Sequence, residues 1–236
     1  EYAALITEVA AINEAAAAWE EAVTVLRETN QSHLYSLALL GLARLNILAD
    51  DVATAKQNAA LAFEVLDADA PEKNAFQAYY DYHVGREYGL AVDAASRARK
   101  GFYSRGDQPR SFSVSLLEAE AAAALGDLDA AQRVLEGREL KTYAQEAATF
   151  HCYFLNTIAN VLTLAGDRSR AVKYYHAAGS LARELGIWRG VAESWFHLSE
   201  LEQDDNRRRD YSARAARLFN NYGAYLLLRR LDKHTV

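Results

Sequence analysis

The sequence predicts an all-α fold in which antiparallel helical hairpins follow one another along the chain. Only 2 Pro and 12 Gly occur in 236 residues, and Ala is abundant, which favours long helices because Ala is the best helix former and Pro the worst. Small residues recur about every 40 positions, and Gly-Asp turns recur in the same register. A β-sandwich or barrel would need many turns and β-branched strands, which this composition does not supply.

The repeat is clearest where segment 126–131 matches segment 166–171, and extending this offset in both directions gives three columns of small residues. The first column is Ala15, Ala55, Ala91, Ala131, Ala171 and Tyr211. The second is Ala22, Ala62, Ala98, Arg138, Ala178 and Leu218, and the third is Ala3, Ala43, Tyr79, Ala119, Ala159 and Ser199. Two helices approach closely only where side chains are short, so we expect the columns at the contacts between paired helices.

The turns give the order of the helices. Gly126 and Gly166 can adopt the left-handed conformation that ends a helix, and Asp127 and Asp167 can then cap the next one. Pro71 stands at the start of a helix, where Pro is tolerated. We expect helices at about 1–10, 13–28, 33–48, 52–67, 72–86, 88–104, 110–125, 128–139, 142–165, 168–185, 187–203, 207–221 and 223–231.

Two further motifs occur in the same register as the small columns and the turns. One is Trp195-x-x-Leu198-Ser199, and the other is an Ala-x-x-x-aromatic-x-x-Ala pattern at 171–178 that recurs at 15–22. Together they resemble the tetratricopeptide-repeat (TPR) family. The repeat length near 40, rather than about 34, and the segment 180–186 are similar to the extended repeats of MalT-type, LuxR-class bacterial regulators.

The resemblance implies a right-handed superhelical solenoid of about six units, TPR-like, with residues 1–236 as a single domain. The units are expected at about 1–32, 33–71, 72–109, 110–149, 150–187 and 188–236. In such arrays the first helix of each unit lines a concave groove, and the stacked units bury a continuous core behind it.

The groove residues follow from the register, because they lie on the first-helix face opposite the second helix. Aromatic rings there could grip the side chains of a peptide while amides pair with its backbone. The predicted partner-binding residues are Arg44, Lys73, Phe76, Gln77, Tyr80, His83, Glu120, Tyr153, Asn156, Asn160, Glu193, Phe196, His197 and Glu200. The same faces carry apolar residues, among them Leu37, Leu40 and Ile47, and the alternative for any of these positions is packing against a neighbouring helix.

No motif for catalysis, cofactor binding or metal binding stands out, so we expect no enzyme activity and no cofactor. The chain lacks a phosphate loop, a dinucleotide fingerprint and an H-E-x-x-H pair. His151 adjoins Cys152, the single Cys, but neighbouring residues on a helix point about 100° apart and do not face each other. Cys152 is therefore expected to be a small buried hydrophobe.

These features favour a protein- or peptide-binding scaffold, the regulatory arm of a larger bacterial transcription or signalling regulator. A stand-alone adaptor or signal-peptide receptor is the alternative, and an enzyme or small-molecule-binding domain is a distant one. TPR proteins that bind chaperone tails hold the terminal carboxylate of the tail with a Lys and an Arg that lie among amide side chains. Asn156 and Asn160 resemble the amides, but no Lys or Arg stands at the matching positions of the following unit. This argues against the binding of acidic chaperone tails.

Composition limits the classes of ligand and the cellular compartment that we expect for the chain. A net charge of −6 argues against direct nucleic-acid binding, and no apolar stretch reaches the length of a membrane span. The single Cys favours the cytoplasm. The chain contains 0 Met, so we expect either a fragment of a longer protein or methionines missing from the sequence. Pairing of copies through the ends of a solenoid is a further expectation.

Overall fold

The structure is a computed structural model that describes the backbone of residues 11–234 and the side chains of residues 11–231. The predicted helix at 1–10 and the column residue Ala3 lie outside this range. The described part is all-helical, with thirteen α-helices and one π-helical turn. Successive helices pack against their neighbours, so the predicted all-α class is confirmed.

The helices are α1 (Ile12–Glu28), α2 (Ser32–Leu48), α3 (Val52–Val65), α4 (Pro71–Tyr80), α5 (Tyr88–Ser104), α6 (Gln108–Leu125), α7 (Leu128–Glu136), α8 (Arg138–Glu146), α9 (Ala148–Leu164), α10 (Arg168–Glu184), α11 (Trp188–Leu201), α12 (Asp205–Tyr222) and α13 (Tyr225–His234). The π-helical turn covers Asp81–Gly85, directly after α4.

Turn chemistry sets most of these boundaries, as predicted. Gly126 and Gly166 have φ values of 94° and 81°, in the left-handed region where a residue with a side chain is strained. The side chains of Asp127 and Asp167 then accept hydrogen bonds from backbone N–H groups in the first turns of α7 and α10, at 2.9 and 3.0 Å. These caps satisfy donors that a helix start leaves unpaired.

The predicted boundaries of two helices, 128–139 and 142–165, are wrong. The segment 142–165 was expected to be a single helix, but Ala147 is extended, with φ −141° and ψ 135°, and separates α8 from α9. A second break at Gly137 divides α7 from α8. The second helix of this hairpin is therefore two short helices, and Arg138, predicted to lie in the second small column, is exposed at the start of α8.

The small columns lie where the helices meet. Ala15, Ala55, Ala91, Ala131 and Ala171 of the first column are all 0% exposed. The same holds for Ala62, Ala98 and Ala178 of the second column and for Ala43, Ala119 and Ala159 of the third. A methyl group with no solvent contact is what close helix packing requires, so the columns are interhelical contacts, as predicted.

The third column needs one correction on α4. Ala78, and not Tyr79, packs with Ala94, Ala95 and Ala98 of α5. The cause is the π-helical turn, whose i→i+5 hydrogen bonds hold one more residue per turn than the i→i+4 bonds of an α-helix. The extra residue moves the small position back by one, and Tyr79 packs in the cluster that contains Leu39 and Ala43 of α2.

The contacts between elements connect the two ends of the described chain. The first helices of the hairpins touch in the order α2, α4, α6, α9 and α11. The C-terminal helix α13 packs on both α12 and α2. One hydrophobic cluster accordingly combines Ile12 of α1, Leu45 of α2, Phe196 of α11, Phe219 of α12 and Leu227 of α13.

Among residues 11–234, none of the helices combines the length and apolar character needed to cross a lipid bilayer.

Candidate binding surface

A hydrogen-bond network joins α6 and α9 to α10. The Glu120 carboxylate accepts hydrogen bonds from Thr157 Oγ1 at 2.9 Å and from Asn160 Nδ2 at 2.8 Å. The Oδ1 atom of Asn160 in turn accepts from Tyr175 Oη at 2.6 Å. Two predicted groove residues, Glu120 and Asn160, are therefore brought into direct contact across neighbouring hairpins.

Burial changes the acidity of this network. It raises the pKa of Glu120, although the hydrogen bonds from Asn160 and Thr157 act in the opposite direction. The nearby Glu193 also raises this pKa. Burial likewise raises the pKa of Tyr175 far above its usual value, so its hydroxyl remains a hydrogen-bond donor. The network thus holds an acidic group in a partly dehydrated place, where an unpaired polar group is costly.

A second pair of polar side chains links α9 to α11. Ser194 Oγ donates to Asn156 Oδ1 at 3.1 Å. The Nδ2 atom of Asn156 is buried without a hydrogen-bond partner, and the residue is 6% exposed. The helices are close here, because a Cβ atom added at Gly179 of α10 would lie 3.0 Å from Ser194 Cβ. Ser194 Oγ also lies 2.7 Å from the Gly190 carbonyl oxygen, so its single proton is shared between two acceptors.

The predicted residues of α11 line the same region. His197 stacks on the Tyr175 ring, with centroids 5.1 Å apart and planes 15° apart, and its Nδ1 lies 2.9 Å from Glu200 Oε2. Glu193 accepts from Arg189 Nε at 2.7 Å. Phe196 instead lies in the core, with 8% of its surface exposed.

A group of basic and aromatic side chains lies where α2, α4 and α13 meet. The Arg44 guanidinium carbon is 4.7 Å from the centroid of the Tyr79 ring, which contacts the His83 ring at 4.2 Å. Arg230 of α13 donates to the backbone carbonyl oxygen of His83 at 2.7 Å. Of these four, Arg44 and His83 were predicted groove residues, whereas Tyr79 and Arg230 were not.

Three predicted residues of α4 face α3 instead of the polar side chains above. Phe76 is 5% exposed and meets Phe63 edge to face at 6.0 Å. Lys73 Nζ lies 4.8 Å from the same Phe63 ring, and Lys56 Nζ of α3 lies 5.5 Å from the Tyr80 ring. The one-residue shift at the π-helical turn explains this, because it places Tyr79 where the register predicted Tyr80.

The remaining predicted residues are Gln77 and Tyr153. Gln77 is exposed and donates to Asp81 Oδ1 at 2.8 Å. Tyr153 is half-buried beside the cores of α9 and α11. Part of the predicted face is covered by the chain itself, because Leu226 of α13 belongs to the same cluster as Leu40 and Ile47.

Sequence reasoning missed several residues that complete these groups. Thr157 and Ser194 are short polar residues one helical turn from predicted positions, Asn160 and His197, so helical spacing could have found them. Tyr175 lies in the 171–178 motif of a second helix, whereas the groove residues are predicted on first helices only. Arg230 is supplied by the last helix, and no local pattern points to its long-range contact with His83.

A separate groove of about 490 Å³ opens between α7, α8, α9 and α10. Its apolar walls include Leu135, Phe154, Ile158 and Val161, and Lys141 stands at its edge. The groove adjoins the break at Gly137 between α7 and α8. It lies apart from the predicted residues of α2, α4 and α11.

Cys152 is fully buried in a small cluster with Ala182, Ile187 and Val191, consistent with the expected role as a hydrophobe. Within the described side chains, no three His, Cys, Asp or Glu residues form a group that could hold a metal ion.

The chain matches no protein-family model, and no curated protein is significantly similar to it in sequence.

Proposed function

We propose that the chain is a TPR-like superhelical solenoid of about six units that binds a protein or peptide on the inner faces of its first helices. In this proposal it is the regulatory arm of a larger bacterial transcription or signalling regulator. A stand-alone adaptor or signal-peptide receptor would use the same surface, and the sequence flanking the chain in its gene distinguishes the two.

The observation that carries the proposal is the network of Glu120, Asn160 and Tyr175, which spans α6, α9 and α10. A purely structural contact between these helices could be apolar at a lower desolvation cost, since buried polar groups contribute little net stability. Polar side chains held in fixed positions on neighbouring first helices instead suit the recognition of a peptide backbone. Fixed positions also reduce the entropy lost on binding.

Polar side chains on the neighbouring helix α11 support the same interpretation. Glu193, His197 and Glu200 on α11 are only partly buried and extend the polar surface. The charges of these side chains would select among peptides that the amides alone would not distinguish.

Selection from a random peptide library on the intact chain tests this proposal. Selected peptides should bind the unaltered protein and lose about tenfold or more in affinity when Asn160 or His197 is changed to Ala. Matched controls are Gln132→Ala on α7 and Lys173→Ala on α10, two exposed residues of second helices. Circular dichroism checks that each variant stays folded. Peptides that lose affinity equally with the control variants would contradict the proposal.

The groove between α7 and α10 favours one second candidate, a site for a small apolar ligand. Its volume of about 490 Å³ lies in the range typical of small-molecule sites. An apolar fluorescent dye should bind there, and Ile158→Asp should abolish the signal while Leu34→Asp, a change on exposed α2 surface, should not. A dye signal unchanged by Ile158→Asp would remove this candidate.

A further inference from the structure

Two arginines from distant parts of the chain flank one pair of aromatic rings. Arg44 of α2 lies over the Tyr79 ring at 4.7 Å, and Arg230 of α13 donates to the carbonyl oxygen of His83 at 2.7 Å. The Tyr79 and His83 rings are themselves 4.2 Å apart. The two arginines therefore contact one compact aromatic platform that α4 and the π-helical turn provide.

These arginines are not neutralised by a carboxylate. Among the described side chains, the ion pairs of the protein include neither Arg44 nor Arg230. Asp81, two residues before His83, accepts from Gln77, and Glu193 pairs with Arg189. Burial, and then the charge of the adjacent Arg86, lower the pKa of Arg230. The folded protein therefore holds the positive charge of Arg230 in an unfavourable environment.

The platform also carries two polar atoms without partners. Tyr79 is 5% exposed, and its hydroxyl is buried with no hydrogen bond. The Nδ1 atom of His83 is buried and unpaired as well. A buried donor left unsatisfied costs about 1–3 kcal/mol, and such groups in native proteins usually have a water or an ion beside them.

We propose that Arg44, Arg230 and the Tyr79 hydroxyl bind an oxyanion, the carboxylate or phosphate group of a ligand, beside the Tyr79–His83 platform. Guanidinium groups present forks of N–H donors that match the oxygens of both anions. An anion here would neutralise the excess charge and accept the unused hydrogen bond of Tyr79. The charge without an ion-pair partner and the unpaired Tyr79 hydroxyl thus have one explanation.

This inference deepens the proposed function, on which it rests for the identity of the full ligand, because Arg44 and His83 lie on the predicted peptide-binding face. It states that what binds there carries a negative group. Binding of a free anion, however, needs no peptide and can be measured alone, so the two ideas can fail separately.

Isothermal titration calorimetry of the intact chain tests the anion site, with inorganic phosphate in one arm and succinate in the other. Sodium chloride keeps the ionic strength constant, so that screening is the same throughout. We expect saturable binding of at least one anion below about 10 mM. Arg44→Gln should weaken it by about tenfold or more, and Tyr79→Phe by a smaller factor. Phosphate binding alone would assign a phosphorylated ligand, and succinate binding alone a carboxylate.

The charge-matched control is Arg217→Gln on α12, an exposed position away from the cluster, which should change the affinity less than about twofold. Arg230→Gln also removes a hydrogen bond to the backbone and is therefore less suitable as a test of binding. Arg44→Gln changes an exposed residue, so its effect on the anion affinity is the test of the site. The absence of saturable binding in both arms overturns the proposal. So does an equal loss of affinity in the Arg217→Gln and Arg44→Gln variants.

Discussion

Arg230 donates a hydrogen bond from Nη2 to the backbone carbonyl oxygen of His83 at 2.7 Å, across 147 positions of the chain. Next to it, Arg229 forms an ion pair with Asp50 at 2.8 Å. The last described helix is thereby fixed to the turn after α2 and to the turn after α4. We therefore expect the stability of the first hairpins to depend on residues at the other end of the sequence.

Leu227→Ala tests that dependence. Leu227 of α13 is 7% exposed and shares a cluster with residues of α1, α2, α11 and α12, so its truncation should lower the free energy of unfolding by about 2–5 kcal/mol. Urea denaturation followed by circular dichroism measures the change. Tyr225→Ala on the same helix, where the side chain is 50% exposed, should cost less than about 1 kcal/mol. Equal effects of the two substitutions would show that α13 does not hold the array together.

The small columns predict which alanines tolerate a larger side chain. Ala171 is 0% exposed at a contact between α9 and α10, so Ala171→Leu should destabilise the protein by about 1–3 kcal/mol through overpacking. Ala177 is exposed on the same helix, and Ala177→Leu should stay within about 0.5 kcal/mol of the unaltered protein. Thermal unfolding of both variants makes the comparison, and an unaffected midpoint for Ala171→Leu would contradict the close-contact interpretation.

Two helical glycines should respond in opposite directions to alanine. At Gly41 of α2 an added Cβ atom would lie 2.7 Å from the rigid Trp19 ring, so Gly41→Ala should destabilise the fold despite its better helix propensity. At Gly89 of α5 no atom lies within 4 Å of the added Cβ, and Gly89→Ala should stabilise the fold by about 0.4–1 kcal/mol. Chemical denaturation gives both signs, and stabilisation by Gly41→Ala would mean that α1 does not approach α2 as described.

His83 should make the fold sensitive to mild acid. Burial, followed by the charges of Arg230, Arg189 and Arg44, holds the pKa of His83 well below its ordinary value of 6.5. Below pH 6.5 the unfolded chain therefore binds a proton on this side chain that the folded protein does not, and stability falls as the pH falls.

His83→Gln removes this linkage. Between about pH 7 and pH 5 the unaltered protein should lose more unfolding free energy than the His83→Gln variant does. The exposed His33→Gln serves as the control and should follow the unaltered protein. Urea denaturation at each pH gives the slopes, and parallel slopes for all three proteins would rule out His83 as the source of the sensitivity.

The helices and their close contacts could be predicted from the sequence because local chemistry determines them. Gly126 ends a helix through its backbone conformation, and Asp127 caps the next helix through its side chain. The small size of Ala131 is likewise a property of the residue itself, and it permits a close helix contact. The break at Ala147 could not be predicted in this way. Its residue type is a good helix former, so the extended conformation depends on the packing of α8 and α9.

The candidate site was only partly predictable, for two physical reasons. The π-helical turn at Asp81–Gly85 shifts the register by one residue, so that Tyr79 takes the inward position expected of Tyr80. The contact of Arg230 with His83 joins segments that no repeat relates. On α6 and α9, where the register is undisturbed, Glu120 and Asn160 do meet.

Site-specific photo-crosslinking in cells that make the natural protein tests most directly whether the inner faces bind a partner. A photoreactive amino acid would replace Arg44 or Glu193 on first helices, or Ala60 or Lys173 on exposed surfaces of second helices. We expect one crosslinked protein or peptide from the inner positions and little from the outer ones. Crosslinks to the same molecule that are at least as strong from Ala60 and Lys173 would contradict binding at the inner faces.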